Sequence, residues 1–333
     1  MGHTRPLPPT TLDQNAPFMP FETNANPLRG IVLKLSSILA FLGMQTCIKL
    51  AGEGIAPGQV TFYRSLFGIV PIIVYLAWRH ELKGAYKTKR PVGHFLRSLI
   101  GITSMGMGFY GLMHLPLPEV IALGYALPLL SVVFAALLLG EVVRIYRWTA
   151  VGVGLFGVMI ISWPKLTLFR EGGIGSEEAL AVVLVLAGAA LGALAMIQVR
   201  RLLVTEKGPT IVLYFSTFAA LLSLATLPFG WASLGFWPLV LLILSGLFGG
   251  VGQIMMTESY RFADASTIAP FDYSSIIFGI LISLFVFGEI PTLNTIAGSV
   301  FVVGAGIFII FREHRLGLER RKIRRVSSSQ NPS

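Results

Sequence analysis

Apolar residues along this chain gather in ten blocks, with short polar connections between them. The blocks cover roughly 30–50, 57–78, 92–113, 118–140, 147–163, 178–199, 210–230, 236–257, 265–288 and 292–311. Each is long enough, as a helix, to cross a hydrocarbon layer of about 30 Å. The connections leave no room for a separate soluble domain. The pattern therefore predicts an all-α membrane protein of ten transmembrane helices, with polar tails at residues 1–29 and 313–333.

One phrase occurs twice within this pattern. The stretch from Tyr125 to Gly140-Glu141 is matched by the stretch from Tyr273 to Gly288-Glu289, and Tyr, Gly and Glu all superimpose at an offset of 148 residues. Another apolar block follows each copy, at 149–161 and 295–310. From the end of one copy to the end of the other the chain crosses five blocks. An odd number reverses direction across the membrane, so the spacing predicts two inverted five-helix repeats, 30–163 and 178–312. Two halves of opposite topology suit a carrier that rocks about a central site. The plainer reading, that Gly-Glu only ends a helix, accounts for one copy. It leaves the matched tyrosines and the following helices unexplained.

Composition agrees with the membrane reading. Charged residues make up 13% of the chain and hydrophobic residues 54%; about a quarter charged is usual for a soluble domain. The net charge of +10 would suit nucleic acid, but its distribution favours another role. With the N-terminus in the cytoplasm, 20 of the 26 Lys and Arg fall in cytoplasmic segments. Only Lys165 and Arg170 fall in opposite loops. This positive-inside bias places both termini in the cytoplasm and requires an even number of spans. The basic tail reads as an anchor at an anionic leaflet, and its Ser-rich end predicts disorder. No aromatic-rich basic motif accompanies it, so no nucleic-acid partner is expected. The Pro-rich first 29 residues lack the features of a signal peptide. Cys47 is the only cysteine, which excludes a disulfide within the chain and a cysteine-based metal site.

Polar residues inside the blocks are the candidates for function, because a charge at the bilayer centre is costly without a role or partner. Asp272, near mid-depth in the ninth block, reads as a coupling carboxylate or a substrate acceptor; a packing contact after Pro270 is the alternative. Tyr125 and Tyr273, mates under the repeat, offer flat rings for stacking and hydroxyls for orientation. In the third block Thr103, Met107, Tyr110 and His114 are spaced to share one helix face. His114 lies near the outer end and fits interfacial anchoring equally well. No second ligand accompanies it, so no metal is expected. Gln45 and Gln253 are amides that can read the edge of a heterocycle or glue helices together. Arg64, Arg97, Lys34 and Lys49 are expected to snorkel toward the interfaces, Arg64 alternatively pairing with Glu53 or steering an anionic group. Gly152, Gly154 and Gly157 form a small-residue face in the fifth block. No phosphate loop, nucleophile elbow or zinc-protease motif is present, so neither ATP, a cofactor nor an enzymatic activity is expected.

Phe62-Tyr63-Arg64-Ser65-Leu66-Phe67 and the run Tyr110-Gly-Leu-Met-His-Leu-Pro-Leu-Pro-Glu-Val-Ile-Ala-Leu, continued by Pro128 to Glu141, resemble signatures of the drug/metabolite transporter superfamily, EamA-type. The resemblance covers residues 30–312. It implies ten helices in a bacterial inner membrane, and a cavity lined mainly by helices 1, 3, 4, 6, 8 and 9. It also hints at packing or a homodimer contact on the fifth helix. The texture looks most like the branch that includes riboflavin and S-adenosylmethionine importers. Riboflavin uptake is the leading expectation for substrate. Amino-acid or drug export and S-adenosylmethionine import are the alternatives within the superfamily, and a membrane-embedded enzyme is the remote one. The expected binding residues are Gln45, Tyr110, His114, Tyr125, Gln253, Asp272 and Tyr273.

Overall fold

A computed structural model describes residues 26–52, 54–140, 143–171, 177–263 and 265–329. Glu53 and Glu141 lie outside the described residues. The regular elements among the described residues are all helical: α1 (Pro27–Ala51), α2 (Pro57–Trp78), α3 (Pro91–His114), α4 (Leu117–Gly124), α5 (Ala126–Leu139), α6 (Ile145–Glu171), α7 (Glu177–Leu203), α8 (Gly208–Ser223), α9 (Phe236–Phe262), α10 (Ala265–Ile268), α11 (Ser274–Ile282) and α12 (Leu293–Ser329). A 3₁₀ segment, Leu224–Phe229, extends α8. A second, Ala269–Tyr273, joins α10 to α11, and a π-helical turn, Ser283–Phe287, ends α11.

The start and stop signals are local. Proline occupies the first turn of α1, α2, α3, α4 and α8, where its missing N–H is not needed. The two repeat glycines stop their helices in the same way. Gly140 has φ 65° and bonds the carbonyl of Ala135; Gly288 has φ 66° and bonds that of Ser283. Only glycine adopts this left-handed cap without penalty. The glycine in each copy of the phrase is thus a helix stop.

Nine stretches among the described residues are long and apolar enough to cross a membrane. α3 is not among them. Its 24 residues suffice in length but include His94, Arg97, Ser98, Thr103, Ser104 and His114. Most helices expose apolar side chains as well as bury them: Val74 is 62% exposed and Leu137 70%. That is the condition of a helix between a protein core and lipid.

Two boundaries differ from the pattern-based reading. α6 continues to Glu171, past the connection expected from residue 164. α12 continues to Ser329, through the tail expected to be disordered. The tail's Leu, Glu, Arg and Lys are strong helix formers, and no proline interrupts them before Pro332.

The packing partners form an exchangeable set. α1 lies against α9, and its counterpart five spans on, α7, lies against α3. α2 packs on α9 while α8 packs on α3, and α6 pairs with α12. The α6–α12 contact is close: a Cβ on Gly157 would stand 2.6 Å from the carbonyl oxygen of Gly298. The small face of α6 is therefore used within the chain. Gly154 meets Leu129 and Gly157 meets α12, whereas Gly152 has open space beside it.

Candidate functional site

The fourth and ninth spans are both interrupted, and at matching positions. α4 gives way to α5 at Tyr125, and the Ala269–Tyr273 segment gives way to α11 at Tyr273. The two tyrosines have nearly the same backbone, φ −68° and ψ −5° at Tyr125, φ −67° and ψ −14° at Tyr273. Their rings stack on each other, centroids 4.9 Å apart and planes 28° from parallel. The Tyr125 hydroxyl donates to the backbone carbonyl of Asp272 and lies 2.8 Å from the hydroxyl of Ser275. One broken span is thereby tied to the other. Interrupted helices at mid-depth are tolerated where the broken backbone lines a cavity.

Such a cavity is present. Its volume is about 790 Å³, and it is lined by parts of α1, α3, α4, α5, α7, the Ala269–Tyr273 segment and α12. At one end it reaches Arg147 and Arg200, among the basic residues that the charge pattern assigns to one side. That end is called the basic end below. One turn beyond the lining residue Gln45 on α1, Lys49 donates to the Leu115 carbonyl (2.7 Å) and pairs with Glu289 (2.9 Å). Ser283 also holds Glu289. Leu115 and Leu117 are fully buried there.

Four expected binding residues line this cavity: Gln45, Tyr125, Asp272 and Tyr273. The Oε1 of Gln45 is buried and accepts no hydrogen bond, which leaves it available to a donor on a bound molecule. Asp272 is not alone. Lys34 approaches it to 2.7 Å, with the Lys34 side chain 3% exposed and the Asp272 side chain 40% exposed. The Lys34 ammonium also sits 5.4 Å from the Tyr260 ring centroid. Lys34 therefore does not snorkel to the interface. Lys49 is likewise held inside, by Glu289 and Leu115.

The other three lie elsewhere. Tyr110 and His114 stack on each other with centroids 4.1 Å apart. His114 Nδ1 contacts the Tyr110 carbonyl, and its Nε2 is 3.9 Å from Glu177. The face of α3 that lines the cavity is Ser104, Met105, Gly108, Phe109 and Leu112. It is rotated about one residue, roughly 100°, from the Thr103–His114 stripe. Gln253 lines a separate small pocket with Arg64 and Arg97. No residue of α9, the eighth span, lines the main cavity, whereas Gly306, Ile309 and Ile310 of α12 do.

Sequence reasoning missed Lys34 as the partner of Asp272. It also missed Glu119, which is 3% exposed, accepts a hydrogen bond from Thr295 at 3.1 Å, and stands 3.9 Å from Lys165. A carboxylate in the first turn of an apolar block was the available signal.

The family known as EamA-like transporters matches this sequence twice, over residues 28–163 and 179–312. The chain belongs to the EamA-like transporter family. This EamA-like protein is 27% identical to an S-adenosylmethionine uptake transporter of Rickettsia prowazekii, over 86% of this chain and 94% of the relative. It is 28% identical to the pseudopaline exporter CntI of Pseudomonas aeruginosa, over 84% and 94%. It is 27% identical to a riboflavin transporter of Vibrio cholerae, over 90% and 98%. A solved crystal structure shares the fold, with a TM-score of 0.59 at 19% identity over 86% of this chain and 98% of that one. The EamA-like chain is accordingly a multi-pass membrane protein of a transporter family.

Proposed function

We propose that this protein is a secondary transporter of the bacterial inner membrane. It moves a small metabolite bearing a flat heteroaromatic ring, and it works by alternating access about the central cavity. The carrying observation is the meeting of the two interrupted spans at Tyr125 and Tyr273, in a cavity that also holds the unpartnered acceptor of Gln45. A stacked ring pair offers a planar surface, and an amide acceptor reads an N–H edge. The halves 30–163 and 178–312 are taken as inverted repeats related by a two-fold axis in the membrane plane; the exchangeable packing of α1–α9 with α7–α3 supports that relation. Both termini lie at the basic end, in the cytoplasm, and the cavity faces that side. Riboflavin fits this chemistry, being flat and rich in N–H, O–H and carbonyl groups.

A second reading takes S-adenosylmethionine as substrate. The name of the Rickettsia relative favours it, and so does the carboxylate of Asp272, which suits a cation once Lys34 is displaced. Uptake of labelled riboflavin and S-adenosylmethionine into cells lacking their own importers tests both. Saturable uptake of one, dependent on Tyr125, supports the class. No uptake of either by protein verified in the membrane overturns it.

A further inference from the structure

A second polar site lies between α2, α3, α8 and α9, in a pocket of about 60 Å³ lined by Arg64, Arg97, Ser216 and Gln253 among others. The two arginines are not at the interfaces where long cations usually place their charge. Arg64 lies within α2, beside Gly249, whose missing side chain makes room for its guanidinium. Arg97 lies within α3, its guanidinium 3.9 Å from the ring centroid of Phe215. Arg64 Nε and Arg97 Nε and Nη1 are buried and donate to nothing among the described residues.

Among the described residues, no acid balances them. α2, α3 and α8 contain no Asp or Glu, nor does α1, which packs on α9. The one carboxylate on these helices is Glu258 of α9. It is engaged elsewhere, by the Tyr75 hydroxyl and by Arg261 at 2.8 and 2.9 Å, with Arg79 3.6 Å away. Two like charges inside a bundle, each with idle donors, call for a counter-charge. Water would satisfy the N–H groups but not neutralise the charge. Gln253 adds an amide that can donate, and Phe215 stacks on one cation without neutralising it.

We propose that Arg64 and Arg97, with Gln253, form a buried binding site for a small monovalent inorganic anion of the size of chloride, apart from the substrate cavity. At about 60 Å³, against the roughly 10–15 Å³ that admits one water, the pocket has room for a halide or nitrate. The bound ion would hold α2 and α3 against α8 and α9.

The test uses full-length protein purified in detergent. Its melting temperature is followed while sodium chloride replaces sodium gluconate at constant ionic strength. A saturable rise of several degrees is expected, since an ion that binds only the folded state stabilises by mass action. Bromide and nitrate should reproduce it. In Arg64→Gln and Arg97→Gln the half-saturating concentration should rise at least tenfold. Superimposable curves in chloride and gluconate, or a chloride effect unchanged in both variants, overturn the proposal. Should the variants fail to fold, bromide anomalous scattering from wild-type crystals decides. A peak between the two guanidinium groups supports the site, and solvent alone there refutes it.

Discussion

Tyr125 and Tyr273 occupy the same position in the two copies of the repeated phrase, and their rings stack with centroids 4.9 Å apart. Each stands where its span is interrupted. A substrate ring stacked on Tyr273 would add about 0.5–1.5 kcal/mol beyond its buried area. Tyr273→Ala is expected to raise the transport KM about 2- to 12-fold from that loss alone. Tyr125→Phe keeps the ring but loses the hydroxyl contacts with Asp272 and Ser275, so a smaller effect is expected. Uptake kinetics normalised to surface protein provide the check. An unchanged KM in Tyr273→Ala removes the pair from the site.

Asp272 and Lys34 form an ion pair across the cavity wall. Asp272→Asn would leave the Lys34 charge buried without its partner. Losing a buried pair's partner costs about 3–5 kcal/mol, but Asp272 is partly exposed, and about 1–3 kcal/mol is expected. Transport should be lost while the protein still reaches the membrane. The double variant Lys34→Met/Asp272→Asn should recover most of the melting temperature and none of the transport. Full transport in Asp272→Asn would contradict this role.

The pairing of Lys49 with Glu289, one turn beyond Gln45 on α1, is expected to close the end of the cavity away from the basic side. Cys47, two residues before Lys49 on α1, is buried and is the chain's only cysteine. It is a native reporter of this closure. Glu289→Gln is expected to speed Cys47 labelling by a membrane-impermeant maleimide at least threefold, the pair being worth on the order of 1 kcal/mol. Equal rates in wild type and variant would show that the pair does not close this end.

The Gly157–Gly298 crossing lets α6 and α12 touch backbone to backbone. Gly298→Leu should separate them, lowering stability by about 1–3 kcal/mol. A thermal melt in detergent measures the effect, and an unchanged melting temperature would argue against this close packing.

Much of the architecture was legible in the chain because membrane helices write themselves as long apolar blocks. The repeat led directly to Tyr125, Tyr273, Gly140 and Gly288. Helix rotation was harder to read. Where lipid and core are equally apolar, sequence gives little to say which face turns inward, so the stripe from Thr103 to His114 stood in for its neighbour from Ser104 to Leu112. Buried cations were also misread. Lys34, Lys49, Arg64 and Arg97 have stems long enough to snorkel, and only the folded chain shows Asp272 and Glu289 meeting the two lysines. Gln253 was recognised as an amide in apolar surroundings. Its place beside two arginines rather than the tyrosines depends on the orientation of α9.

The most direct test is entrance counterflow in proteoliposomes. Purified protein is reconstituted, vesicles are preloaded with unlabelled riboflavin or S-adenosylmethionine, and the labelled compound is supplied outside at low concentration. A single site exposed alternately to each side predicts transient accumulation of label without an imposed ion gradient. It should occur with one of the two compounds and be abolished in Tyr125→Ala. No accumulation of either compound by folded, reconstituted wild-type protein would contradict the account.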